Sequence, residues 1–156
     1  MPSMKILLIA GGWSSEREVS LTGARGMQEA LLKRGHAVTF FDLLENFDEL
    51  LETARQHDFA LINLHGSPGE DGLVQAMLEK AGCPYQGSGP SGSFLALNKA
   101  AAKQIFRMAG LPTADWEFLP VRPAEGWEPR LPWPLFVKTT TGGSSLRLGR
   151  ATNRQE

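Results

Sequence analysis

The segment Asn63-Leu64-His65-Gly66-Ser67-Pro68-Gly69-Glu70-Asp71-Gly72 sets a histidine and an acidic pair among glycines and a proline, directly after the apolar run Phe59-Ala60-Leu61-Ile62. In an open α/β sheet, ligands bind in the loops that follow the strands. His65 in such a loop is well placed for chemistry. It has no second His or Cys at ligand spacing, so it makes a poor metal site. A turn with a locally bonded histidine accounts for the same residues, with Glu70 and Asp71 complementing the dipole of the next helix.

Two further stretches carry reactive types. Gly11-Gly12-Trp13-Ser14-Ser15-Glu16-Arg17-Glu18-Val19-Ser20 lacks the G-x-G-x-x-G fingerprint, which argues against a dinucleotide site. Glu16 and Glu18 at a helix start would repel a pyrophosphate and suit an ammonium group. The plainer account is a helix start capped by Ser15, with the glutamates favoured by the helix dipole. In Phe136-Val137-Lys138-Thr139-Thr140-Thr141-Gly142-Gly143-Ser144-Ser145 a lysine precedes a run of small residues. Bare backbone N–H groups there can fold over phosphates, and Lys138 supplies the cation. A flexible hairpin tip is the alternative. Lys99 and Lys103 lie one turn apart on an expected helix and, taken alone, read as solvated surface lysines.

The elements that must position these loops follow from pattern. Strands are expected at 5–10, 37–41 and 59–64, and helices from Ser15 to Gly35, at 46–56 with Asn46 as cap, and at 73–81. Strand–helix alternation with short connections predicts a parallel sheet with helices on both faces. The segment 84–93 reads as a Gly/Ser/Pro loop, and 94–109 as one Ala-rich helix closed by Gly110. Beyond it the texture turns β-rich, with strands expected at 116–120, 134–138 and 146–150. The predicted division is an α/β, Rossmann-like domain over 1–97 and the beginning of a β-rich domain over 98–156.

Composition sets the outer limits. Of 156 residues, 42% are hydrophobic and 21% charged, with a formal net charge of −1, as in ordinary globular domains. No basic block suggests nucleic acid, and no apolar stretch approaches a membrane span. The single cysteine, Cys83, can form no internal disulfide, which fits a reducing compartment. The first residues lack the long apolar core of a signal peptide, so the cytoplasm is the expected location.

Taken together, the loops resemble the D-alanine–D-alanine ligases of the ATP-grasp superfamily. The matching stretches are Gly11-Gly12 with Ser14 and Glu16-Arg17-Glu18-Val19-Ser20; His65-Gly66 with Gly69-Glu70-Asp71-Gly72; and Pro84-Tyr85 with Gly87-Ser88-Gly89. Lys99 with Lys103, Gly110-Leu111-Pro112-Thr113, and Val137-Lys138 through Gly143-Ser144-Ser145 complete the set, in family order and spacing. The resemblance implies a Rossmann-like pre-ATP-grasp domain followed by the start of an ATP-grasp domain. It implies ATP-dependent joining of two D-alanines through an acyl phosphate, for peptidoglycan precursors. By the same resemblance Glu16 holds the ammonium of the first D-alanine, His65 lies close to it, and Ser144 is catalytic near the second substrate. Lys99, Lys138, Ser144 and Ser145 contact ATP. Mg²⁺, or Mn²⁺ in its place, is expected as cofactor on ligands beyond Glu156. A homodimer through the N-terminal domain is expected, with no nucleic-acid or membrane partner.

The chain departs from the family pattern at Asn98 (usually Asp), Thr139 (usually Pro), Leu146-Arg147 (commonly Val-Gly) and Trp13, which is bulkier than the usual residue. The family's metal carboxylates, adenine-binding strand, oxyanion-stabilising Arg and substrate loop all lie past the last residue here. The expectation is therefore a truncated N-terminal part, inactive alone. The alternatives are a D-amino-acid-binding or dimerisation module, and a ligase whose acceptor is D-lactate or D-serine.

Overall fold

The computed structural model describes residues 2–143 and 148–155. The chain divides into two compact units, Met1–Leu95 and Ala96–Glu156.

The first unit is an α/β layer structure on three parallel strands, β1 (Lys5–Ala10), β2 (Ala37–Asp42) and β3 (Phe59–Ile62), in the order β2-β1-β3. Central β1 pairs Lys5 with Ala37 through Ala10 with Asp42 on one side, and Ile6 with Phe59 through Ile9 with Ile62 on the other. Because strand side chains alternate between faces, β1 feeds two clusters. Leu7 and Ile9 join Phe41, Leu43, Leu50, Val74 and Leu78, while Leu8 and Ala10 pack with Ala24 on the other face. Burial on both faces explains the unbroken apolar run Ile6–Ala10.

Helix α1 (Arg17–Lys33) covers the second face and buries only Ser20 and Ala24. Val19 and Met27 of this helix are exposed, and small residues make the close contact. Its N-cap is Glu16, not Ser15. Ser14 Oγ instead accepts the Glu16 N–H at 3.1 Å. The helix expected at 46–56 is three short pieces, α2 (Leu43–Asn46), a 3-10 turn (Phe47–Glu49) and α3 (Leu50–Ala54). Asp42, not Asn46, caps the start by accepting the Leu44 N–H at 3.1 Å. Leu43 and Leu50, seven residues apart, both enter the core shared with β1.

After β3 comes α4 (Leu73–Ala81), as expected. The free edge of β3 is covered by Pro84-Tyr85-Gln86. Ala60 N–H donates to Pro84 O at 2.8 Å, and the Gln86 side chain exchanges bonds of 2.9 and 2.6 Å with the Ile62 N–H and C=O. The single helix expected at 94–109 is instead α5 (Pro90–Leu97) and α6 (Lys99–Met108). Asn98, in extended conformation between them, caps α6 by accepting the Ala101 N–H at 3.1 Å.

In the second unit, β4 (Leu135–Val137) and β5 (Gly149–Ala151) form an antiparallel pair, with Leu135 opposite Ala151. No strand forms at 116–120, where the carbonyls and amides lack a ladder partner. Leu146 and Arg147, part of the expected third strand, lie outside the described residues. Ala151 is the only buried apolar residue described in this unit, and Phe136 and Val137 are exposed. Among the described residues no helix is long and apolar enough to cross a membrane.

Candidate functional site

The carboxyl ends of β1 and β3 lie side by side where the strand order reverses, since β1 is followed by β2 on one flank and by β3 on the other. That is the position at which doubly wound sheets open a crevice. Two loops meet there. A Cβ on Gly12 would lie 3.3 Å from Leu64 Cδ2, and one on Gly66 would lie 3.5 Å from Ser14 Cβ. Glycine lets the two backbones touch. The turn bearing Glu16 is thereby set against the turn bearing His65.

A buried network ties them further. Ser20 Oγ accepts the Gly11 N–H at 2.8 Å and donates to the carbonyl of Asn63, and Asn63 Nδ2 returns a bond to Ser20 O at 2.7 Å. On the opposite flank Arg17 grips Asp42 through both guanidinium nitrogens, at 2.7 and 2.6 Å. The guanidinium hydrogen bond holds the Asp42 carboxyl below the usual carboxylate range, and the same bond pushes Arg17 up. Arg17 Nη1 also reaches Gly12 O at 3.4 Å.

Glu16 is half-buried at the start of α1. His65 is half-buried beyond β3, and among the described residues no hydrogen bond engages its ring. Behind it, Gln75 Nε2 donates to Gly69 O at 2.6 Å, and Asp71 accepts from Leu73 N–H at 3.0 Å, so Asp71 is a helix-start residue while Glu70 stands exposed. Trp13 packs edge-to-face on Phe47 with ring centroids 5.3 Å apart, which gives the bulky side chain a place outside the loop contact.

Lys99 and Lys138 belong to the second unit. Lys99 is no free surface lysine. Its ammonium donates to Gly142 O at 2.5 Å, and its N–H donates to Thr140 O at 2.9 Å. Lys103 donates to Thr113 Oγ1 and Ala114 O, both at 2.8 Å. Both are half-buried, which corrects the solvated reading. Lys138 is exposed just after β4. Thr141 bridges to Asn98, and a Cβ on Gly142 would stand 2.6 Å from Thr139 Oγ1, so this turn is zipped to the start of α6. Ser144 and Ser145 lie outside the described residues. Among the described residues no group of three His, Cys, Asp or Glu side chains converges to hold a metal.

No family model matches the chain. Individual proteins do. A D-alanine–D-alanine ligase of Desulfovibrio desulfuricans is 77% identical over 153 residues, which are 98% of this chain and 50% of that protein. The ligase of Nitratidesulfovibrio vulgaris is 69% identical over 149 residues, 96% of this chain and 49% of its own length. Over nearly its whole length the chain is similar to D-alanine–D-alanine ligases. Among solved ligase structures, that of Bacillus anthracis complexed with ATP matches with a TM-score of 0.84 at 35% identity, covering 98% of this chain and 52% of that one. The parallel sheet with its helices is the N-terminal domain of the ligase fold. The chain spans about half the length of the curated relatives it matches.

Arg17, Asp42, Ser20 and Asn63 received no role from sequence reasoning. Arg17 and Ser20 were visible within the ligase motif. Asp42 carried a weaker signal, an acidic residue between a strand and a Leu-Leu helix start. Asn63 carried none.

Proposed function

We propose that the chain supplies the first D-alanine site and part of the ATP site of an ATP-dependent D-alanine–D-alanine ligase. The observation that carries this is the meeting of the Glu16 and His65 turns at the switch point, in a chain 77% identical to a ligase over nearly its whole length. A half-buried carboxylate at a crevice is the natural partner of a substrate ammonium, and an imidazole N–H on the facing turn can donate to the substrate carboxylate. Lys99 and Lys138, with Ser144 and Ser145, would hold the phosphates of ATP. The geometry of the Thr139–Gly142 turn fits that role, because its small side chains leave the backbone accessible and Lys99 already lies against it.

In the proposed reaction, ATP phosphorylates the carboxylate of the first D-alanine to an acyl phosphate. The amine of the second attacks the carbonyl carbon, and phosphate leaves from the tetrahedral intermediate. These residues orient the first D-alanine and balance charge on the phosphates. The described side chains do not form a Mg²⁺ site, so no step is assigned here to a metal. The product would serve peptidoglycan precursor synthesis in the cytoplasm. A homodimer through the first unit is part of the proposal.

Alone, the chain is expected to make no D-alanyl-D-alanine. Joined to the second half of the D. desulfuricans ligase, it should make the dipeptide, with the D-alanine KM raised about 10- to 100-fold by Glu16→Gln. A chimera that folds and binds ATP yet gives no product would overturn the reading. A second reading, a D-amino-acid-binding module, is favoured by the first unit having a complete core of its own. It predicts D-alanine binding by the chain but no dipeptide from the chimera.

A further inference from the structure

Glu16 sits on the turn that leads from β1 into α1. Ser14 O accepts the Arg17 N–H at 3.2 Å, Ser14 Oγ accepts the Glu16 N–H, and Glu16 O accepts the Ser20 N–H at 3.0 Å. These bonds fix the backbone locally. Ser20, four residues on, ties α1 to Asn63 beside β3. Arg17, the residue next to Glu16, ties it to the end of β2.

We propose that the Arg17–Asp42 pair is a positioning element for the candidate D-alanine site, holding the Glu16 turn against the end of β2. The functional half of the proposal rests on reading Glu16 as the ammonium contact. The pair is built for alignment. A guanidinium fork on a carboxylate fixes direction as well as distance, which a lysine ammonium cannot do. Its acceptor has further bonds of its own. Asp42 ends β2 in register with Ala10, its carboxylate also accepts the Leu44 N–H, and its carbonyl accepts Asn46 Nδ2 at 3.1 Å.

The guanidinium further wraps the β1 loop. It reaches Gly12 O, and a Cβ on Gly11 would stand 2.4 Å from Arg17 Nη1 and 2.6 Å from Asp42 Oδ1. The pair thus encloses the loop that leads into Glu16. It is only slightly exposed, with 23% and 15% of the two side chains open to solvent, so water competes weakly for it.

The test uses the 156-residue chain and compares Arg17→Met, Arg17→Lys, Asp42→Asn and Glu16→Gln. Amide hydrogen exchange by NMR is read residue by residue. Arg17→Met and Asp42→Asn should speed exchange at residues 12–17 about tenfold while Leu7–Ile9 and Ala60–Leu61 keep wild-type protection. Arg17→Lys should recover only part. Unchanged exchange in the turn overturns the proposal, as does a uniform loss across the sheet, which would make the pair a general brace. In parallel, D-alanine is titrated into each variant. Affinity about tenfold weaker in Arg17→Met, with Arg17→Lys between it and wild type, supports the functional half. If the turn loosens but D-alanine binds Glu16→Gln as well as wild type, or does not bind wild type at all, the Glu16 reading has failed while the pair's hold on the turn stands.

Discussion

Replacing Gly11 by alanine should destabilise the first unit through one identifiable contact. Gly11 has φ +78°, a conformation that costs an L-residue about 1–2 kcal/mol. Gly35 has φ +84° and nothing within 4 Å of its would-be Cβ, so Gly35→Ala measures the backbone cost alone. At Gly11 the new methyl would fall on Arg17 Nη1 and Asp42 Oδ1. Both belong to ends of side chains that can swing away, so the chain need not distort. What it loses is the bidentate bond, worth about 1.5–3 kcal/mol for charged partners. The total for Gly11→Ala is then about 2.5–5 kcal/mol, against about 1–2 kcal/mol for Gly35→Ala. In an Arg17→Met background the bond is already gone, and Gly11→Ala should cost only about 1–2 kcal/mol. Urea titration followed on the NMR signals of Leu8 and Ile9 reads the stability of this unit directly. If Gly11→Ala and Arg17→Met prove additive within about 0.5 kcal/mol, the contact is not the cause and the reasoning fails.

Three further outcomes are expected. Because Arg17 depresses the Asp42 carboxyl, its stabilisation is complete above the ordinary carboxylate pKa and is lost as pH falls below about 4. Wild type should therefore lose more stability between neutral pH and pH 3 than Asp42→Asn, measured by the same titration; equal losses would refute the assignment. Asn98→Ala should remove the cap of α6 and speed amide exchange at Lys99–Ala101 by about 1 kcal/mol equivalent, leaving β1 unaffected. Burial, with a smaller contribution from the Asp58 charge, pushes the Cys83 thiol up. Iodoacetamide at pH 8 should label native chain far more slowly than chain in guanidinium, and equal rates would contradict the buried site.

The parallel sheet was readable because β1 and β3 are short apolar runs bounded by glycine and polar residues, and that pattern suits strands buried on both faces. What escaped was set by long-range contacts. The helix start at Leu43 depends on Asp42, at the end of β2, as its cap, and a 3-10 turn at Phe47–Glu49 interrupts the run before Leu50. The break at Asn98 was hidden in an Ala-rich helical pattern, although Asn is a strong cap residue and the clue lay in its type. At the site, Glu16 and His65 were marked by motif and loop chemistry. Their partners were not, because Asp42 and Asn63 meet Arg17 and Ser20 only once the sheet is formed. The expected strand at 116–120 failed for the opposite reason: Trp116 and Phe118 have β-type side chains, but no neighbouring strand is there to pair them.

The most direct test of the D-alanine site is a calorimetric titration of D-alanine into the 156-residue chain, repeated with Glu16→Gln. Saturable binding of one D-alanine per chain, weakened about 10- to 100-fold by the substitution, is the expected result. Binding that is absent in wild type, or equally tight in Glu16→Gln, would contradict the assignment of the crevice between β1 and β3 as the first D-alanine site.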